Sequence, residues 1–332
     1  MTDAFEALPS VRETPPAEPP AFHAPGDRQK QHPLGATVHD GLTYACLNGY
    51  RELHLDVYVP SDAEAAVPCV VWIHGGAWLF GGKEFMPDNW DDALLFQTAI
   101  NAGLAVAAID YRHSREASFP AQLHDAKAAV RYLRKFASEL GIDPERIAVW
   151  GDSAGGHLAA LLATVRAPEL EGVEGVVGPS SAVSAAVSFY GVADVDTMPS
   201  FLETMPQEWI DELRRAGGDA PPEPIDVLLA ETPFPRETAR RLVSPVHHVD
   251  SNTPPFLLVH GVEDGLVPIS QSEEFVTALH AAGVEAELVR VPGADHTFVG
   301  VDPAPLILRA VDFLQRQFDR ESAGATQQAD SR

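Results

Sequence analysis

Ser153 stands at the centre of GDSAG, residues 151–155, between the apolar run RIAVW and the alanine- and leucine-rich stretch HLAALLATV. The first run reads as a buried strand and the second as a helix, so the serine falls on a tight strand-to-helix turn. Only small residues fit two positions before and two after such a serine. The turn pushes Oγ out to the sheet edge, at a helix N-terminus that favours developing negative charge. A glycine-rich turn with an incidental serine is the plain alternative; the strand–turn–helix setting favours a nucleophile.

A serine hydroxyl attacks poorly without a base. Of 13 histidines, His296 in VPGADHTF follows the last expected strand at its C-terminal end, on a loop before the final helix. His260 also ends a strand but precedes the loop that should carry the acid. His157 sits one turn into the helix after Ser153 and is expected to pack beneath it, and His247 and His248 fall in an irregular segment. The base needs a buried carboxylate to hold its tautomer. Asp264, in HGVEDGLVP, lies just after the expected strand 254–260 and gives the chain order Ser, Asp, His. Glu263 is the adjacent rival and is expected to face solvent. Asp250 and Asp295 do not follow directly from a strand end.

Attack on a carbonyl creates an oxyanion that wants two or three fixed N–H donors, each contributing about 3–4 kcal/mol. Ala154, next to the nucleophile, supplies one. The stretch VWIHGGAWLFGGK, residues 71–83, brings Gly75, Gly76 and Ala77 off the end of a neighbouring strand and can supply the others. A phosphate-binding reading fails on spacing: a P-loop would need glycine at 77 and Ser or Thr after Lys83, where the chain has Ala77 and Glu84. No GxGxxG is present there, which leaves the dinucleotide reading weak.

The elements that must position these groups alternate strand and helix from residue 68 onward, which implies an α/β fold with a mostly parallel central sheet and helices on both faces. Before that, TYACLN and ELHLDVYVP read as an antiparallel pair joined near Gly49. Residues 120–139 give the clearest helical period, with Leu123, Ala126, Val130, Leu133 and Phe136 on one face and Gly141 past the end. The final helix is expected over 304–318, with Ile307, Val311, Leu314 and Phe318 inward. Residues 193–246 break the rhythm with prolines and scattered aromatics, and read as a small cap-like insertion over the sheet's C-terminal edge. The folded domain is therefore expected over 36–319, between a proline-rich disordered tail at 1–35 and a polar disordered tail at 320–332.

A net charge of −25 disfavours nucleic acid and anionic membrane as partners. Cys46 and Cys69 both fall in apolar, strand-like surroundings and read as small buried hydrophobes. With no CxxC and no HExxH, no zinc site is expected. Residues 1–35 hold seven prolines without a charged, then apolar, leader, and no run of 18 apolar residues occurs, so the default expectation is a cytoplasmic protein.

The four ordered motifs HGGAW at 74–78, GDSAGGH at 151–157, HGVEDGLVP at 260–268 and GADHTF at 293–298 resemble the α/β-hydrolase fold. More narrowly, the chain is similar to the carboxylesterases of the hormone-sensitive-lipase type and to the bacterial bifunctional feruloyl and acetylxylan esterases, over roughly residues 45–318. The resemblance implies Ser153 as nucleophile, Asp264 as orienting acid and His296 as base. Gly75, Gly76, Ala77 and Ala154 would form the oxyanion hole, and the chemistry would need no metal or organic cofactor. One departure is Ala77, where many relatives carry a third glycine; its Cβ would narrow the acyl side of the pocket. Trp78 would be a pocket wall or a packing residue. Met198, Phe201, Met205, Trp209 and Phe234 of the insertion would suit an apolar or aromatic acyl group, or would pack the insertion down.

The leading expectation is a serine esterase acting on a small-molecule ester of short-chain acyl, acetyl or feruloyl type through an acyl-enzyme. An amidase, arylformamidase or exopeptidase-like enzyme would use the same triad. A non-catalytic binding protein on this scaffold is the remaining class, disfavoured because all three triad residues are in place. Some relatives pair as homodimers through an edge strand or the final helix.

Overall fold

A computed structural model describes residues 20–26, 29–91, 93–204 and 222–330. Among these, nine strands form one sheet: β1 (Lys30–His32), β2 (Ala36–Ala45), β3 (Leu53–Pro60), β4 (Val67–Ile73), β5 (Ala105–Ile109), β6 (Ile142–Asp152), β7 (Ala186–Phe189), β8 (Phe256–Gly261) and β9 (Ala286–Val291). Their spatial order is β1-β2-β3-β5-β4-β6-β7-β8-β9. The first three strands and the β3–β5 pair are antiparallel; β5 through β9 are parallel. The order reverses at β4, which leaves β5 on one side of it and β6 on the other. A crevice forms outside the carboxyl ends of strands at such a switch point.

The β-branched run of β4 is buried because both of its faces are covered. Cys69, Val71 and Ile73 point into a core shared with the helices Ala121–Lys135, Ala154–Thr164 and Ser270–Ala281. Val70 and Trp72 point the other way, into a core shared with the helices Leu94–Asn101 and Ala304–Asp330. In that second layer the fully buried Trp72 and Trp150 meet edge to face at 5.8 Å. Burying such a ring contributes about 1.5–3 kcal/mol. The periodic face of the final helix enters the same layer through Ile307, Val311, Leu314 and Phe318.

Several boundaries differ from the sequence expectation. The helix over 120–139 breaks at Phe136, whose backbone leaves helical geometry (φ −106°), and resumes as Ala137–Leu140 before Gly141 at φ 71°. The segment expected to be a disordered tail up to residue 35 contains β1 and, before it, a docked arm. Phe22 sets its ring edge-on to Tyr132 and Phe136 at 6.3 and 5.9 Å. The His23 amide donates to Thr43 O and Cys46 N–H donates to Ala21 O. One aromatic anchor and a few backbone bonds hold this arm, a signal that proline-rich composition hides. At the other end the final helix continues to Asp330 rather than yielding to a tail; the added residues include good helix formers and no proline. Cys69 is fully buried as expected, whereas Cys46 is only half-buried.

The insertion supplies the short helices Phe201–Thr204, Pro224–Leu228 and Arg236–Leu242. It is tied to the sheet domain at its base, where Gln271 Oε1 accepts from the amides of Ala193 and Asp194. The Phe119 amide donates to Leu228 O. Met205 and Trp209 lie outside the described residues. No helix among the described residues is long and apolar enough to cross a membrane.

Candidate active site

β4 and β6 run side by side with Ile73 opposite Gly151, so the segments that leave their C-terminal ends emerge together. One is His74–Trp78; the other is Asp152–Ala154. β8 and β9 lie further along the same parallel set and deliver the loops that carry Asp264 and His296.

Ser153 sits at φ 51°, ψ −117° at the start of the helix Ala154–Thr164. The two flanking glycines are required by contact. A Cβ on Gly151 would stand 2.3 Å from the Gly155 carbonyl, and one on Gly155 would stand 1.9 Å from Ile73 O. The turn is therefore wedged against β4, which fixes where Ser153 Oγ emerges.

His296 Nε2 lies 3.1 Å from Ser153 Oγ, and His296 Nδ1 lies 2.8 Å from Asp264 Oδ2. This pairing sets the tautomer: Nδ1–H donates to the carboxylate, and Nε2 accepts from the serine hydroxyl. Asp264 Oδ1 is held by the amides of Leu266 and Val267 at 3.0 and 2.8 Å. Burial works against ionisation of Asp264, but the imidazoles of His260 and His296 beside it hold its carboxyl well below the usual range. His260 is thus a supporting partner: Nε2 donates to Val267 O and lies 3.4 Å from Asp264 Oδ2, while Nδ1 accepts from Ser272 Oγ.

The rival groups have other partners. Glu263 is exposed and accepts from the Gly293 amide. Asp295 accepts from the amides of Gly265 and His296, capping the His296 turn. Asp250 pairs with Arg166. His157 is fully buried between Trp78 Nε1, which donates to its Nδ1 at 3.1 Å, and Val243 O, which accepts from Nε2 at 2.6 Å. Burial pushes its pKa down to about 4, so the ring is a neutral strut. His247 stands 3.6 Å from Asp194, and His248 Nε2 bonds Leu242 O.

Of the four backbone groups expected to hold an oxyanion, Gly75 differs. Its amide acts on the carboxyl of Asp152, which is wholly buried beneath it; a Cβ on Gly75 would meet Asp152 Oδ2 at 2.7 Å. Burial pushes Asp152 up to about 7, against the pull of His296 and the Gly75 backbone. The amides of Gly76, Ala77 and Ala154 have no hydrogen-bond acceptor among the described residues. Gly76, Ala77 and Trp78 all take positive φ, at 107°, 51° and 60°. That run is closed by Leu79 and Phe80 donating back to Gly76 O.

Trp78 both packs and faces the space beside Ser153. It is buried and bonded to His157, and one part of it lines the cavity beside Ser153. That cavity holds about 60 Å³ and is walled by Ala77, Val192, Met198, Phe201, Ile225 and Leu266, among others. Met198 and Phe201 therefore face the site, whereas the half-buried Phe234 packs against the core.

Sequence reasoning missed the groups that steady the His296 loop. Trp90 Nε1 and Asn89 Nδ2 both donate to Thr297 O at 2.9 Å. Phe298 stacks on Trp90 at 6.1 Å with parallel rings, and Tyr190 sets its ring edge against His296 at 4.8 Å. Asn89 and Trp90 come from a polar stretch with no local pattern that links it to residue 297.

Solved structures share this architecture. A truncated carbohydrate esterase from gut microbiota matches with a TM-score of 0.70 at 28% identity, over 87% of this chain and 99% of that one. An esterase from Thermogutta terrifontis matches with a TM-score of 0.61 at 29% identity, over 86% and 91%. The fold is the α/β-hydrolase fold. In sequence, the probable carboxylic ester hydrolase LipM of Mycobacterium tuberculosis is 30% identical over 267 residues, covering 79% of this chain and 56% of LipM. The chain spans about half the length of the curated relatives it matches. The family model BD-FAE matches residues 55–279, the span that carries both the HGGAW and GDSAG turns and Asp264. On that match the chain belongs to the BD-FAE family.

Proposed function

We propose that this protein is a serine esterase that cleaves small carboxylic esters through an acyl-enzyme, with Ser153 as nucleophile, His296 as base and Asp264 as its orienting acid. The observation that carries the reading is the continuous chain Ser153 Oγ, His296, Asp264, with contacts of 3.1 and 2.8 Å, beside three unengaged amides. In the first half-reaction Ser153 Oγ attacks the ester carbonyl while His296 Nε2 takes the hydroxyl proton. The carbonyl electrons move to oxygen, and the amides of Gly76, Ala77 and Ala154 stabilise that charge. The tetrahedral species collapses, the C–O bond breaks, and His296 returns the proton to the leaving alcohol. Water then repeats the sequence on the acyl-serine and releases the acid.

Asp264 stays ionised throughout, since its two amide bonds and two histidine neighbours favour the carboxylate. Its role is to hold His296 in the productive tautomer and stabilise the imidazolium. The narrow apolar cavity, with Ala77 in its wall, supports short acyl groups, acetyl to butyryl. The esterase names carried by the relatives agree with ester cleavage.

The direct test is hydrolysis of p-nitrophenyl acetate by the wild type and Ser153→Ala. Loss of the nucleophile should lower kcat by about 10⁴-fold or more. An undiminished rate in the variant would overturn the reading.

A further inference from the structure

We propose that His23, Cys46 and Glu52 form a binding site for Zn²⁺ or a similar borderline-soft divalent cation, where the docked N-terminal arm meets the β2–β3 hairpin. The imidazole, thiol and carboxylate ligand atoms all lie within 4.8 Å of one another. They come from three separate places: His23 from the arm, Cys46 just after β2, and Glu52 just before β3. Consecutive-ligand motifs such as CxxC cannot reveal a set of this kind, so the proposal departs from the sequence expectation of no zinc site.

The frame around the three groups is fixed independently of any ion. His23 N–H donates to Thr43 O at 3.0 Å and Cys46 N–H donates to Ala21 O at 2.8 Å, which lays the arm against the end of β2. Tyr132 Oη donates to His23 O at 2.9 Å, and Phe22 is held by the rings of Tyr132 and Phe136. Glu52 is oriented by Thr43 Oγ1 at 3.2 Å, and its Oε2 stands 3.5 Å from His54 Nε2. In contrast, neither the His23 ring nor the Cys46 thiol has a hydrogen-bond or ion-pair partner among the described residues. The backbone is placed; the ligand atoms surround a gap without closing it.

The chemistry of the set selects the ion. Sulfur, imidazole nitrogen and one carboxylate suit Zn²⁺, Co²⁺ or Ni²⁺, whereas Mg²⁺ and Ca²⁺ take oxygen ligands. Bonds of about 2.0–2.3 Å in a tetrahedral arrangement put ligand atoms roughly 3.5 Å apart. The side chains must therefore draw in by about an ångström, which exposed His23 and Glu52 can do by rotation. Water completes the coordination, and His54 backs the Glu52 carboxylate. The ion binds by displacing the Cys46 thiol proton. Bound in this way, the cation ties the arm to the hairpin and stabilises the folded chain by mass action.

The test uses the full chain, stripped with a chelator and then titrated with Co²⁺ followed by absorbance and with Zn²⁺ followed by calorimetry. The expected result is one ion per chain with a thiolate-to-Co²⁺ charge-transfer band. Cys46→Ser should abolish the band, and Cys46→Ser and the exposed His23→Ala should each weaken Zn²⁺ binding at least about tenfold. Ser153→Ala should bind both ions as the wild type does, which keeps this test independent of the esterase proposal. Absence of the band in the wild type, or equal Zn²⁺ affinity in wild type, Cys46→Ser and His23→Ala, would overturn the site.

Discussion

Ala77→Gly removes one methyl group from a residue held at φ 51° in the wall of the cavity beside Ser153. Two magnitudes follow. The left-handed conformation costs an alanine about 1–2 kcal/mol relative to glycine. Glycine's greater freedom in the unfolded chain returns about 0.4–1 kcal/mol of that. Net stability should therefore rise by about 0–1.6 kcal/mol, read as a small shift in the urea midpoint. The second magnitude concerns the acyl group. Space for one more methylene contributes about 0.8 kcal/mol of burial, or about fourfold in rate. The ratio of kcat/KM for p-nitrophenyl butyrate over acetate should rise by that factor. The rate on acetate should stay within about twofold, because the position-77 amide is retained. A ratio that does not move would show that Cβ does not bound the acyl site. A fall in kcat on acetate by about 10²-fold would show instead that the alanine is needed to aim the amide.

Trp78→Phe deletes the donor to His157 Nδ1 and leaves a buried imidazole nitrogen unpaired; urea unfolding should show a loss of about 1–3 kcal/mol. Gly155→Ala places a Cβ 1.9 Å from Ile73 O, so the elbow must move away from β4, and hydrolysis should be lost even in whatever fraction of the protein folds. Asp152→Asn changes the pH profile of stability. The folded-state pKa of Asp152 is raised to about 7 from the ordinary 3.8, so the folded wild type holds a proton that the unfolded chain has released, and it loses stability as pH rises through that window. The asparagine variant has no such term, so its stability relative to wild type should climb between pH 4 and 7 by chemical denaturation; a flat difference would refute the raised pKa.

The candidate site was legible where it is carried by chain order and strand ends. Ser153 and Asp264 each follow a recognisable buried strand and His296 follows the last, half-buried one; the parallel sheet places all such ends on one edge, so spacing along the chain converts into proximity. The rejection of Glu263 could be anticipated because alternate residues after a strand face opposite ways. What could not be read depends on contacts between segments far apart in sequence. Nothing local marks Gly75 as turned toward Asp152, His260 as a second partner of Asp264, or Asn89 and Trp90 as the anchors of Thr297. The N-terminal arm was hidden for another reason: its composition is that of a disordered tail, and the docking rests on the single ring of Phe22 and a few backbone bonds. The length of the final helix escaped because the inward-facing pattern stops at Phe318, while helix propensity carries the backbone on to Asp330.

The central claim is that Ser153 is made nucleophilic by His296. Its most direct measurement is labelling by a fluorophosphonate, followed by intact mass and peptide mapping. The account predicts one adduct per chain, on Ser153, in step with the loss of esterase activity, and labelling slowed by several orders of magnitude in His296→Ala. An adduct on another residue, or full labelling of His296→Ala at the wild-type rate, would contradict it.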